Sequence, residues 1–68
     1  MFYLKCQKEE ATDTLCIWAN DNNLNEWCVS EVPCFFEDYT TVAKLLNMVK
    51  ESSNNLKNIF IVEKTINF

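Results

Sequence analysis

The fold is decided by residues 38–51, DYTTVAKLLNMVKE, the one segment whose apolar residues recur with a helical period. Asp38 can cap the amino end of a helix, and the polar run 52–55 can end it. The sequence therefore predicts one amphipathic helix over about residues 38–51, with Leu46→Asp expected to unfold the domain. The apolar stripe is predicted to consist of Tyr39, Val42, Ala43, Leu46 and Val49, widened by Leu45 and Met48.

Four segments outside this helix have the patterns of β-strands. The first alternates apolar and polar residues, the second and fourth are β-branched or aromatic, and the third is closed by Pro33. The short polar link between the first two predicts an antiparallel hairpin, and the Asn-rich residues 20–25 predict a turn. The predicted strands are residues 2–7, 15–19, 27–32 and 58–65.

The order of these elements is ββ(β)αβ, which predicts an α+β fold with a mainly antiparallel sheet of three or four strands and one amphipathic helix on one face. With 68 residues, the chain is expected to form a single domain, 1–68, with a thin core. Strands with apolar side chains on both faces, together with so thin a core, predict a homodimer that buries the sheet face opposite the helix.

Charge is spread unevenly along the chain. The net charge is −4, and residues 1–38 hold eight of the ten acidic residues but two of the six lysines. Such a potential attracts a protein partner with a basic surface and repels phosphate, so direct nucleic-acid binding is not expected. No apolar run has the length of a membrane span, and no leader pattern begins the chain, which together predict a cytoplasmic protein.

No residue pattern predicts catalysis, a cofactor or a metal site. The chain has no histidine to act as a base, and its adjacent carboxylates read as solvated surface, so we expect no enzyme activity. Its four cysteines are spaced more widely than the roughly two to four residues typical of zinc ligands, which favours free thiols. Cys6 and Cys16 lie on the hairpin partners and can be bridged if the register allows it.

The candidate binding residues combine aromatic and acidic side chains. Trp18 and Trp27 flank the acidic turn, and tryptophan is enriched at binding hot spots, although a cross-strand aromatic pair is the alternative. The second and last strands are apolar on both faces, so one face is expected to form an interface unless the segment 66–68 covers it. The partner-binding candidates are Trp18, Asp21, Glu26, Trp27, Glu37 and Asp38, and those for self-association are Cys16, Ile59 and Ile61.

The chain resembles the small accessory proteins of phages of low-GC bacteria, a group that includes anti-CRISPR inhibitors. The likeness lies in its length, its acidity, its element order and its composition, which has nine asparagines and no glycine or arginine, as AT-rich coding sequences tend to give, and it carries no motif. The resemblance implies a non-enzymatic inhibitor that occupies a basic surface of a host nucleic-acid-handling complex. The alternatives are a structural or assembly subunit that works through an apolar interface, and a strict DNA mimic, for which ten acids offset by six lysines give a weak charge density.

Overall fold

A four-stranded antiparallel sheet and one α-helix form the structure, a computed structural model that describes residues 1–20, 23–52 and 55–65. The strands are arranged in the order β3-β2-β1-β4. The predicted α+β class and the single helix are confirmed. The elements are β1 (Phe2–Lys8), β2 (Thr14–Asn20), β3 (Asn23–Ser30), α1 (Tyr39–Ser52) and β4 (Leu56–Glu63).

The third strand begins earlier than predicted. β3 starts at Asn23 and ends at Ser30, so the predicted turn over residues 20–25 is wrong for its described residues, all of which lie in strands. An edge strand tolerates these asparagines because one of its sides faces solvent. A register shift after Ala19 accompanies them, and it lets Leu24 pack against the core. The candidate residue Asp21 lies outside the described residues.

The core lies between α1 and one face of the sheet. Register places Leu4 opposite both Ile17 and Ile61, so the three share the face that α1 covers. On α1 the buried residues are Val42, Leu45 and Val49, whereas Tyr39 is 59% exposed. The predicted stripe is therefore rotated. Its true centre is Leu45, and Leu46 is only partly buried.

The exposure of Tyr39 has a local cause. The helix starts beyond the end of the sheet, so the strands do not cover its first residue. The Tyr39 ring packs edge-on against Phe2, with the ring centroids 5.5 Å apart. From there α1 lies over β1 and β4, and Leu45 points into the middle of that contact. A stripe read from sequence could not distinguish Leu45 from Leu46, because both are apolar and adjacent.

A bulge in β4 decides which of its side chains face the helix. The register with β1 shifts by one residue between Phe60 and Lys57, and Asn58 there has φ of 52°. Without the bulge, strict alternation from Ile61 would turn Lys57 toward the core, but the shift packs Leu56 against the core instead. Asparagine tolerates this left-handed conformation, and its Nδ2 donates to Gln7 Oε1 at 2.7 Å.

Two substitutions of Asn58 are expected to distinguish the energetic cost of its backbone conformation from the loss of its side-chain hydrogen bond. Asn58→Gly and Asn58→Val both remove the hydrogen bond to Gln7, but only valine is penalised at positive φ. We expect Asn58→Val to be less stable than Asn58→Gly by about 1–2 kcal/mol, measured by urea titration. Equal stabilities would show that Asn58 does not need the left-handed conformation.

The chain between β3 and α1 returns to the end of β1. Phe2 and Phe36 exchange backbone hydrogen bonds of 2.8 and 2.7 Å, and Phe36 is buried. The ladder between β1 and β2 starts only at Leu4 and Ile17, so Phe36 takes the position beside Phe2 that β2 leaves free. This contact sets where α1 begins, and Asp38 lies at its N-cap position, its carbonyl oxygen accepting from the Val42 N–H at 3.3 Å.

Candidate functional site

The two tryptophans lie on opposite faces of the sheet. Trp18 is paired with Cys28 on the face away from α1, which we call the open face, and is 45% exposed. Trp27 is paired with Ala19 and packs against the core on the helix side. The alternative interpretation of the pair as stacked cross-strand neighbours is therefore wrong, because neighbours in one row must share a face.

Some of the predicted partner-binding residues nevertheless meet at one end of the sheet, where β2 connects to β3. A depression of about 440 Å³ lies there. Three candidates, Trp18, Glu26 and Trp27, contribute to its wall. They come together because the strand pairing brings residues 18–20 beside residues 25–28. We call this end of the molecule the hairpin end.

Two further candidates, Glu37 and Asp38, line a second depression of about 340 Å³ together with Met1, Phe35 and Phe36. The segment that carries the second depression is tied to the first, because Cys34, which precedes Phe35, donates from its thiol to the carbonyl oxygen of Ala19, a wall residue of the first, at 3.0 Å. The hairpin end thus joins aromatic rings and carboxylates from β2, β3 and the start of α1. Phe35 and Met1 were not among the residues predicted from the sequence. The two adjacent aromatic residues that follow Pro33 and Cys34 were the pattern that pointed to a binding surface there.

A longer groove of about 560 Å³ runs along the helix side. It exists because α1 packs over β1 and β4 and leaves β3 beside it uncovered. Trp27, Val29 and Leu56 give it apolar walls, and Glu9 and Glu10 are acidic wall residues. Of the predicted candidates that the structure describes, only Trp27 lines this groove, because the position of the helix over the sheet cannot be derived from a local pattern.

The three residues predicted to mediate self-association do not form one surface. Cys16 is on the open face, opposite Lys5 and Ser30, whereas Ile59 and Ile61 are packed against the core on the helix side. The apolar residues of β4 that belong to the open face are Phe60 and Val62 instead, and self-association through either face stays a prediction.

All four cysteines are free thiols. Cys6 is opposite Leu15 and Cys16 is opposite Lys5, so the two side chains point to opposite faces and the cross-strand bridge considered from sequence does not form. Burial raises the pKa of the Cys6 thiol, and proximity to Cys16 raises it further. Burial also raises the pKa of Cys16, partly offset by the positive charge of Lys5.

The thiols are expected to react in order of exposure. Cys28 is exposed and Cys34 half-buried, so alkylation of the folded protein at neutral pH should modify Cys28 first and leave Cys6 and Cys16 until unfolding. Mass spectrometry of timed samples provides the measurement. Labelling of Cys6 as fast as Cys28 would contradict the core described above.

The same thiols predict how stability depends on pH. Both have a folded-state pKa above the ordinary value of 9.0, so the unfolded chain loses these protons first as the pH rises. Their contribution is therefore fully present below about pH 9 and is lost above it, so the free energy of unfolding should fall there. Urea titrations at pH 7 and at about pH 10, compared with a Cys6→Ala variant, would measure this loss.

Among residues 1–20, 23–52 and 55–65, no three cysteine or carboxylate side chains come together as metal ligands. Within the same ranges no helix combines the length and the apolarity needed to cross a bilayer. Comparison of the chain with protein-family models, curated proteins and solved structures gives no match.

Proposed function

We propose that this chain is a non-enzymatic protein-binding inhibitor that occupies a basic surface of its partner with the hairpin end. The observation that carries the proposal is the pair of depressions there, each lined by aromatic and acidic side chains. Glu26, Glu37 and Asp38 are exposed, and within the described part of the chain none of their carboxylates is in an ion pair. They are free to pair with a partner's cations.

Aromatic rings beside carboxylates suit arginine and lysine side chains. A guanidinium group can stack on a ring while it donates hydrogen bonds to a neighbouring carboxylate. Trp18 and Phe35, which are 45% and 37% exposed, offer such rings at the hairpin end. A cation already lies over one of these rings within the chain itself, because Lys64 Nζ is 5.5 Å from the ring centroid of Phe35.

The partner class follows from charge. An acidic domain is steered toward basic surfaces, and proteins that handle nucleic acid present basic channels for phosphate. Occupation of such a channel would exclude the nucleic acid. A phage counter-defence role of the anti-CRISPR kind, implied by the resemblance of the whole chain, is one form of this proposal.

Charge changes at the hairpin end are expected to abolish partner capture. The test variant is Glu26→Lys, Glu37→Lys, Asp38→Asn, in which asparagine keeps the helix cap. Loss of electrostatic pairing should reduce capture from a low-GC bacterial lysate at least about tenfold and weaken its salt dependence. Affinity capture followed by mass spectrometry measures this and identifies the partner.

The matched control places the same charge change at the opposite end of the sheet, where Glu9 and Glu10 form the turn after β1. Glu9→Lys, Glu10→Lys, Asp13→Asn should retain capture. If both variants lose capture equally, overall charge rather than the hairpin end governs binding. If neither loses it, the proposed contact surface is wrong.

A second candidate function, an assembly subunit, is favoured by a separate observation. Trp18 and Phe60 are 45% and 49% exposed on the open face, which α1 does not cover. Burial of these rings against another protein would stabilise an assembly without any charge complementarity. Capture that survives the charge changes but is lost in Phe60→Ser would support this candidate instead.

A further inference from the structure

The open face differs in charge from the rest of the molecule. Lys5 and Lys57 occupy strand positions on this face, and Lys64 continues the alternation of β4 after Phe60 and Val62. One carboxylate, Glu26, lies with the open-face residues Trp18 and Cys28 in the depression at the hairpin end. The acidic chain therefore presents a locally basic sheet face, which counting charges along the sequence does not reveal.

Aromatic rings stand between these lysines. Phe60 is paired with Lys5, and Tyr3, two residues before Lys5 in β1 and therefore on the same face, is paired with Val62. Lys5 Nζ lies 5.7 Å from the ring centroid of Tyr3, and the Tyr3 ring is in edge contact with Phe35 at 5.4 Å. The Phe60 ring, 49% exposed, is available for stacking.

The spacing of these groups suits a single strand of nucleic acid. Neighbouring positions on a sheet face are about 5 Å apart and diagonal ones about 7–8 Å, so rings on β1, β2 and β4 can each stack a separate base. Lysines at the border of such a platform can contact the phosphates between those bases. Gln7 and Asn58, joined by a hydrogen bond of 2.7 Å, add polar groups at the Lys57 end.

We propose that the open face binds single-stranded nucleic acid, with Phe60, Trp18 and Tyr3 stacking bases and Lys5, Lys57 and Lys64 contacting phosphates. This activity goes beyond the hairpin-end contact proposed above: the two surfaces share Trp18 and the Lys64–Phe35 contact, whereas Phe60, Lys5 and Lys57 belong to the open face alone. It also revises the expectation from net charge, because association is governed by the potential at the contacting face. The Debye length of about 8 Å at physiological salt screens the acids on the far side of the sheet.

A second copy of the chain is the competing occupant of this face. A symmetric dimer packed face to face would bring Lys5, Lys57 and Lys64 toward their own counterparts, and like charges across an interface oppose association. The affinity for a polyanion instead increases with each lysine, because each contact between a lysine and a phosphate releases condensed counterions. The charge of the face therefore favours nucleic acid.

The test is a fluorescence anisotropy titration of the full chain with a labelled oligothymidylate and a labelled oligouridylate of about 15 nucleotides each. At about 50 mM salt we expect saturable binding to at least one of them. Phe60→Ala should weaken it roughly 5- to 150-fold, the effect of losing one stacked base. Lys57→Ala should lower the slope of log K against log salt by about 0.7.

Lys44→Ala is the matched control, because it removes the same charge from the exposed side of α1. It should leave both affinity and slope unchanged. Absence of binding at low salt would overturn the proposal, and so would equal losses in Lys57→Ala and Lys44→Ala. A dimer in sedimentation analysis that dissociates in Phe60→Ala would assign the face to a second copy. Circular dichroism verifies that each variant is folded.

Discussion

Leu45→Asp is expected to unfold the protein. Leu45 is fully buried between α1 and the sheet, and among the described residues the core has no buried polar or charged side chain that could pair with a carboxylate. A single core of this size supplies roughly 3–5 kcal/mol, and an unpaired buried charge costs at least that much. Circular dichroism of the variant in buffer should show a largely unfolded chain.

Two companion variants make this a test of how α1 is rotated. Asn47→Asp adds the same charge on the exposed side of the helix and should leave the fold intact. Leu46→Asp, the variant that the sequence alone predicts to unfold the domain, should cost less than Leu45→Asp because Leu46 is only partly buried. A reversed order of the two leucine variants would show that the helix faces the sheet differently.

Phe36→Ala is expected to lower the free energy of unfolding by about 3–5 kcal/mol, which leaves little of the stability of so small a domain. Phe36 is 1% exposed, and it is the largest of the fully buried side chains. Its truncation leaves a cavity beside Phe2, where the segment before α1 is attached to the sheet. Urea titration measures the loss.

The neighbouring phenylalanine provides the control. Phe35 is 37% exposed and contacts Tyr3 edge-on, so Phe35→Ala should cost only about 0.5–1.5 kcal/mol. Phe36→Leu retains most of the buried volume and should stay folded, which provides a measurable value if the alanine variant does not fold. Equal costs at the two positions would contradict the separation of core and surface in this segment.

The candidate site was predictable only in part. Sequence reasoning selected aromatic and acidic residues, and the structure brings Trp18, Glu26 and Trp27 into one depression and Glu37 and Asp38 into a second. What joins the two is the contact of Cys34 with Ala19, which are 15 positions apart in the chain. No local pattern encodes such a contact, because it depends on where the chain returns after β3.

The sequence by itself determined the elements of this fold. The helix predicted over residues 38–51 is α1, Tyr39–Ser52, and segments 2–7 and 15–19 are β1 and β2 within one or two residues. These predictions depend on hydrophobic period and capping, which involve residues within about one or two turns of each other. Local chemistry is sufficient for them.

Only the tertiary structure decided which side chains share a face. A one-residue change of register moves every side chain of a strand to the other side, and the bulge at Asn58 makes that change in β4. It packs Leu56 rather than Lys57 against the core and leaves Lys57 on the open face. The basic, aromatic character of that face therefore arises from pairing between distant segments, which composition and period along the chain do not contain.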